Sequence, residues 1–277
     1  MYEVIVMRRK KVKIVLLLVL LIIFLHSENN FISISKISVQ SKKLPKNFQG
    51  YKIVHLSDFH NKSFFNFGHK VAEKVKGLSP DVIVFTGDLI DSRRYNEEIS
   101  LDFMKELVKI GPVYYVNGNH EIRTRKFSAL EKGLREIGVK VLRNESDSLT
   151  KNGEEIYILG IDDPLQKPLK EAVEASMENL EESKFKILLA HKPEYISEYS
   201  SYKLDLVFSG HAHGGQMRLP FIGGVIAPGQ GMFPKYTNGK YVLDDTTMIV
   251  SRGLGNSLFP QRLFNKPEIV EVTLLTE

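Results

Sequence analysis

The sequence predicts an α/β (α+β) fold, two packed mixed sheets flanked by helices, with a hydrophobic anchor helix in front. Three observations carry this. From Tyr51 onward, apolar runs of strand length alternate with segments of helical periodicity. The last third turns β-rich, with Gly and Pro concentrated between 214 and 239. And Ile14 to Leu25 is an unbroken apolar run of 12 residues, preceded by five basic residues.

The first element is that run. It is short of the roughly 20 residues that span a bilayer comfortably, but Val12 and the stems of Lys13 and His26 extend it. Arg8, Arg9, Lys10, Lys11 and Lys13 precede it, and no basic residue other than His26 follows until Lys36. By the positive-inside rule the N-terminus stays in the cytoplasm and the remainder is exported. Residues 1–27 are therefore expected to be an uncleaved signal anchor, giving a single-pass protein of the cell membrane with an extracytoplasmic catalytic domain. A cleaved signal peptide and a buried core helix are the alternatives; His26 to Asn30 offers no small-x-small cleavage site.

Residues 28–44 are polar and mixed. They read as a linker carrying one edge strand, Ile32 to Val39, where apolar and polar residues alternate. The catalytic domain is expected to occupy 45–277. Its strands are Lys52 to Leu56, Asp81 to Thr86, Pro112 to Val116, Phe185 to Ala190 and Leu204 to Phe208. Tyr241 to Val250 reads as a hairpin turned at Asp244-Asp245, and Ile269 to Leu275 as a last strand. Helical spacing marks Val71–Val75–Leu78, Phe103–Met104–Leu107–Val108 and Phe127–Leu130–Leu134–Ile137, the last capped by Gly138. One more helix is expected over Leu169, Ala172, Val173, Met177 and Leu180.

Composition narrows the chemistry. With no cysteine, the chain has no disulfide, thiolate metal site or thiol nucleophile. The formal charge of +5 suggests a polyanion partner until it is divided by position. Five bases against Glu3 in the first 25 residues account for four of those five charges, so nucleic acid is not expected as a partner.

Five segments place Asp, Asn or His directly after a buried-strand pattern: Asp58-Phe59-His60, Gly87-Asp88-Leu89-Ile90-Asp91, Gly118-Asn119-His120-Glu121, His191, and Gly210-His211-Ala212-His213. In open α/β sheets, ligands gather at the carboxyl ends of strands. Oxygen and imidazole donors collected there are what a pair of divalent metals needs. Any one of these residues alone is better read as a cap, turn or satisfied polar group. Five in register are a metal site.

Their order and local spacing resemble the calcineurin-like metallophosphoesterase superfamily, and 51–277 as a whole resembles its bacterial membrane-associated phosphodiesterase branch. The resemblance implies a four-layer α/β/β/α sandwich. It implies one metal on Asp58, His60, Asp88 and His213, and a second on Asp88, Asn119, His191 and His211, with Asp88 bridging. The donor set suits Mn²⁺ first, with Zn²⁺ or Fe²⁺ as alternatives. Also implied are P–O hydrolysis by a hydroxide shared between the metals and a catalytic role for His120, which binds the phosphate and protonates the leaving oxygen. Asp91 resembles the acid that orients this histidine.

Some relatives in this branch are assigned to UDP-diacylglucosamine hydrolysis, which gives an alternative substrate, though in the predicted orientation it lies across the membrane. An anionic phosphoester of the cell envelope, such as a lipid-linked one, fits the location better. A non-catalytic metal-binding envelope protein is a further alternative, but no ligand position has been lost. Substrate contacts are less legible. Gly214-Gly215-Gln216 suits either a phosphate cradle or a tight turn. Arg252 and Arg262 are candidate phosphate contacts, Arg93, Arg94, Arg123 and Arg125 a source of positive potential, and Phe64, Phe65 and Phe67 either an apolar lip or loop packing.

Overall fold

The computed structural model describes residues 2–256 and 259–277; the side chains of residues 2–6 and of Phe65 lie outside the described residues. Helix α1 (Tyr2–Asn30) is continuous over 29 residues. Its stretch Met7–Asn30 is long and apolar enough to cross a membrane. At 1.5 Å per residue, those 24 residues rise about 36 Å, more than a hydrocarbon core of about 30 Å. Every large apolar side chain from Val12 to Ile23 is exposed, which is incompatible with a core helix. The helix runs past residue 27 because Glu28 and Asn29 find partners on the domain. Residues 28–44 are therefore not a bare spacer: they hold the end of α1 and strand β1 (Ser33–Ser41).

Elements then alternate. They are β2 (Lys52–Leu56), α2 (Phe67–Leu78), β3 (Val82–Thr86), α3 (Glu97–Val108), β4 (Val113–Val116), α4 (Asn119–Arg123), α5 (Phe127–Glu136) and β5 (Lys140–Val141). A hairpin follows, β6 (Glu145–Lys151) and β7 (Glu154–Gly160), then α6 (Leu169–Ser176), β8 (Lys186–Leu189), α7 (Ile196–Ser201) and β9 (Leu206–Ser209). Four two-residue strands cross the Gly- and Pro-rich segment: β10 (Arg218–Leu219), β11 (Gly223–Gly224), β12 (Ile226–Ala227) and β13 (Gly231–Met232). The chain ends with β14 (Gly239–Leu243), β15 (Thr246–Val250) and β16 (Glu268–Thr276).

Two six-stranded mixed sheets form, in orders β1-β16-β2-β3-β4-β5 and β14-β15-β9-β8-β7-β6. Side-chain alternation decides what each face meets. Ile53, Val82, Val84, Tyr114 and Val116 of the first sheet point inward onto Ile156, Ile158, Ile187, Leu189, Leu206, Phe208 and Ile249 of the second. The opposite parity of the first sheet, Val54, Leu56, Ile83, Phe85, Val113 and Tyr115, packs under α2, α3 and α5. On the second sheet Leu159, Leu188, Val207, Met248 and Val250 pack under α6 and α7. Because both faces of both sheets are covered, the central strands read as continuous apolar runs rather than alternating ones. This is the predicted four-layer α/β/β/α sandwich.

Two local differences have physical causes. The β6–β7 hairpin was not anticipated, since edge strand β6 (ESDSLTK) buries only Leu149. Helix α6 stops at Ser176; Met177 and Leu180 pack from the turn beyond it. Helix α5 ends as expected, with Gly138 at φ 94° just beyond its cap.

Candidate metal centre

Each candidate ligand lies just past the carboxyl end of a strand. Asp58 and His60 follow β2, Asp88 follows β3, and Asn119 follows β4, all in the first sheet. His191 follows β8, and His211 and His213 follow β9, in the second. All seven are buried. Asp58, His60, Asp88 and His213 bring donor atoms within 4.8 Å of one another, and so do Asp88, His191 and His211. Asp88 belongs to both groups, and the grouping matches the two sets the sequence resemblance implies. Asn119 stands outside that carboxylate–imidazole grouping but beside it: the next amide, of His120, donates to Asp88 Oδ1 at 2.8 Å.

The backbone is bent to make this convergence. Asp58, His60, Asp88, His211 and His213 all have φ between 47° and 64°, left-handed conformations that cost non-glycine residues energy. Five such residues in one crevice indicate that the surrounding fold holds them there for a purpose. Close approach is permitted by glycine: a Cβ on Gly118 would strike Asp88 Oδ1, and one on Gly210 would strike Asp58 Oδ2 and Ser57 Oγ.

The donors fit two divalent cations. His60 Nε2 and His213 Nε2 face each other at 3.2 Å, and His211 Nδ1 and His191 Nε2 at 3.1 Å. Asp58 Oδ1 is 3.3 Å from His213 Nε2, and Asp88 Oδ2 is 3.2 Å from His191 Nε2. Imidazole nitrogens this close, gathered around carboxylate oxygens, share a point suited to positive charge. Asn119 Oδ1 is buried with no hydrogen-bond partner among the described residues, as a side-chain oxygen reserved for a cation would be. His191 Nδ1 donates to the Thr86 carbonyl at 2.7 Å, which directs Nε2 to Asp88 and would leave it as the ligand atom once its proton is released.

Electrostatics agree with that use. Burial lowers His60 to about 3 and holds His211 and His213 well below the ordinary histidine range, so these rings are neutral at physiological pH, as metal ligation would require. Burial, partly offset by His191, raises Asp58 to about 7. Burial alone would lower His191, but the Asp88 carboxylate overrides it and raises the ring to about 10. Asp88 in turn stays well below the ordinary carboxylate range: burial opposes this, and His191 outweighs it. A divalent cation would supply the compensation that the His191 proton otherwise gives, and binding would release that proton.

His120 packs edge-on against His60, with ring centroids 4.6 Å apart. The Ser92 amide donates to His120 Nδ1 at 3.0 Å, so the neutral ring carries its proton on Nε2. Asp91 Oδ1 lies 3.6 Å from His120 Nδ1, beyond hydrogen-bond length. Asp91 is instead held by the Arg93 amide at 2.9 Å and by the Arg93 and Arg94 guanidinium groups. Asp91 thus builds the turn that presents the Ser92 amide, and its charge favours the protonated imidazole from a short distance. Burial outweighs that influence and leaves His120 below its ordinary value.

Glu121 lies within the third motif, but the motif's spacing assigns it no role. Its buried carboxylate accepts from the Asp88, Ile90 and Gly118 amides at 2.9, 3.1 and 2.7 Å, clamping the loops after β3 and β4 together. Asn265 was not singled out. Its side chain donates to the His213 and Gln216 carbonyls, and its amide donates to Glu28 Oε2 at the end of α1.

Several weaker expectations change. Arg262 is buried and donates to the Gly255, Arg252 and Asn265 carbonyls, and Arg252 is paired with Glu268, so both hold structure rather than face an anion. Gly214-Gly215-Gln216 is a tight turn: the Gly215 and Gln216 amides donate to the Ala212 and His213 carbonyls. Phe67 is core, with the Lys62 ammonium 3.9 Å from its ring centroid, whereas Phe64 is exposed.

Comparisons with known proteins point the same way. The calcineurin-like phosphoesterase family profile matches residues 51–215. The chain is 32% identical over 253 residues to the uncharacterised metallophosphoesterase YkuE of Bacillus subtilis (strain 168), covering 89% of this chain and 87% of that protein. It is 27% identical over 230 residues to phosphodiesterase YaeI of Escherichia coli (strain K12), covering 81% and 82%. Among solved structures, the phosphopantetheinyl hydrolase PptH of Mycobacterium tuberculosis aligns with a TM-score of 0.48 at 14% identity, covering 75% of this chain and 91% of that one. By the family profile and the likeness to YkuE, the chain belongs to the calcineurin-like phosphoesterase family and is a hydrolase of phosphoric ester bonds.

Proposed function

We propose that this hydrolase is a membrane-anchored, two-metal phosphodiesterase whose catalytic domain lies outside the cytoplasmic membrane, acting on an anionic, lipid-linked phosphodiester of the cell envelope. The observation that carries the metal chemistry is the shared carboxylate: Asp88 stands in two ligand groups at once, with Asp58, His60 and His213 on one side and His191 and His211 on the other. Asn119 completes the second group. Mn²⁺ is the proposed metal, since mixed oxygen and imidazole donors suit it. The diester reading is supported by the likeness to a protein named a phosphodiesterase. The location is supported by an apolar α1 with its basic residues ahead of the apolar run.

Two bound divalent ions would polarise the phosphoryl oxygens and make water nucleophilic near neutral pH. The chain's own contribution is placement. Glu121 and the glycines fix the ligand loops, and burial keeps the ligand rings neutral. His120 presents Nε2–H to the phosphoryl group; to protonate the leaving oxygen it must first become the imidazolium, which the Asp91 charge and the anionic substrate favour, and it returns to the neutral ring on giving up that proton.

Purified full-length protein loaded with Mn²⁺ is expected to cleave bis(p-nitrophenyl) phosphate, and EDTA to abolish turnover. His120→Ala should keep its metal, measured by elemental analysis, and lose roughly 10²–10⁴ in kcat. Asp88→Asn should lose metal and activity together. Metal-loaded protein inert on mono- and diesters alike would falsify the reading.

A further inference from the structure

A cleft of about 810 Å³ runs between α1 and the catalytic domain, and its lining includes His60, one residue of the candidate metal centre. Ile22, Leu25 and Asn29 of α1 line one side, and His60, Phe64 and Arg94 the other. Along α1 the lining changes from apolar at Ile22 and Leu25 to polar at Asn29 and Asn30, a rise of roughly 10 Å. The cleft therefore runs from the apolar part of the membrane-crossing segment to the loop that carries His60.

The helix is fastened in this position rather than tethered loosely. Gln261 donates to the Leu25 carbonyl at 3.0 Å, the Arg262 amide to Asn29 Oδ1 at 2.8 Å, and the Asn265 amide to Glu28 Oε2 at 2.9 Å. Lys62, two residues past His60, donates to the Asn29 carbonyl. Phe24 packs on Phe264 at 5.5 Å between ring centroids. Phe31 and Phe64, 64% and 60% exposed, stand beside this junction, where apolar rings suit a headgroup boundary.

We propose that this cleft is a binding subsite for the hydrocarbon chain of a phosphoester drawn from the same bilayer that α1 crosses. The phosphate sits at the metal centre, and the chain lies between α1 and Phe64, leaving toward Ile22. The end of the anchor is thereby a wall of the active site and sets its preference for amphiphilic substrates. The inference rests on the anchor and phosphoesterase readings above and adds to them the place where the substrate's hydrocarbon chain binds.

The test is binding of hexyl phosphate against inorganic phosphate to the Mn²⁺-loaded full-length protein in lipid nanodiscs, by calorimetry with empty discs as reference. Hexyl phosphate is expected to bind about tenfold tighter or more, because the alkyl chain leaves water. Leu25→Asn and, independently, Phe64→Ser should each shrink that affinity ratio at least about threefold. Phe64→Ser changes an exposed loop residue and keeps the test valid if Leu25→Asn fails to insert. Equal affinities in the wild type, or a ratio untouched by Phe64→Ser, overturn the subsite. A hexyl preference without diester turnover would instead remove the phosphodiesterase reading and leave the subsite standing; turnover without the preference does the reverse.

Discussion

At the scale of single residues, the centre depends on groups that never touch a cation. Glu121 shows this most clearly. One Oε2 atom accepts from both the Asp88 and Gly118 amides, and Oε1 accepts from Ile90, so one carboxylate sets the spacing of two ligand loops. Burial and the neighbouring Asp88 charge raise it to about 7, a cost the three amides partly offset. Glu121→Gln would turn an NH₂ toward an N–H on at least one side and push the loops apart. Metal affinity, followed by Mn²⁺ titration, should fall 10- to 100-fold, as a supporting shell usually dictates. If Glu121→Gln binds metal as the wild type does, the carboxylate is only filling space.

At the scale of elements, legibility followed burial. Lys52 to Leu56 was readable to the residue because it is central, apolar and followed at once by chemistry. The seven candidate ligands and His120 were readable because short motifs sit where strands end. Hairpin β6–β7 was not, because polar β6 takes its conformation from pairing with β7 rather than from its own pattern. The signal available was Asn152-Gly153, both left-handed, a dipeptide suited to a two-residue hairpin turn. Glu121 and Asn265 were hidden for another reason: a positioning role depends on distances between loops that no local spacing encodes. Strand β1, legible as an edge strand from its alternation over Ile32 to Val39, pairs with β16 in parallel over nine positions and buries Val39 against the inter-sheet core. A chain starting at residue 45 should thus be less stable than one starting at residue 30, by about 2 kcal/mol or more, with a lower urea midpoint and aggregation through the bared β16 edge. Matching midpoints would show that β1 adds nothing to the sandwich.

At the scale of the whole molecule, the two sheets meet through an apolar interface at their centres and through the candidate ligands at one rim. The first sheet supplies Asp58, His60, Asp88 and Asn119, and the second His191, His211 and His213. Each ligand group therefore spans both sheets, so a cation held by either group cross-links them. This makes metal binding part of global stability and not only of catalysis. At a free metal concentration a thousand times Kd, the linkage adds about 4 kcal/mol. For a chain of this size that corresponds to a Tm higher by roughly 10 °C with Mn²⁺ than after chelation. The protection should also be local: hydrogen exchange should slow most in the loops after β2, β3, β4, β8 and β9, and least in β6 and β14, the two edge strands of the second sheet. Asp88→Asn separates this from nonspecific ion effects, since removing the carboxylate common to both groups should erase most of the Mn²⁺-dependent rise in Tm. A rise that persists in that variant would mean that the stabilising cation binds elsewhere.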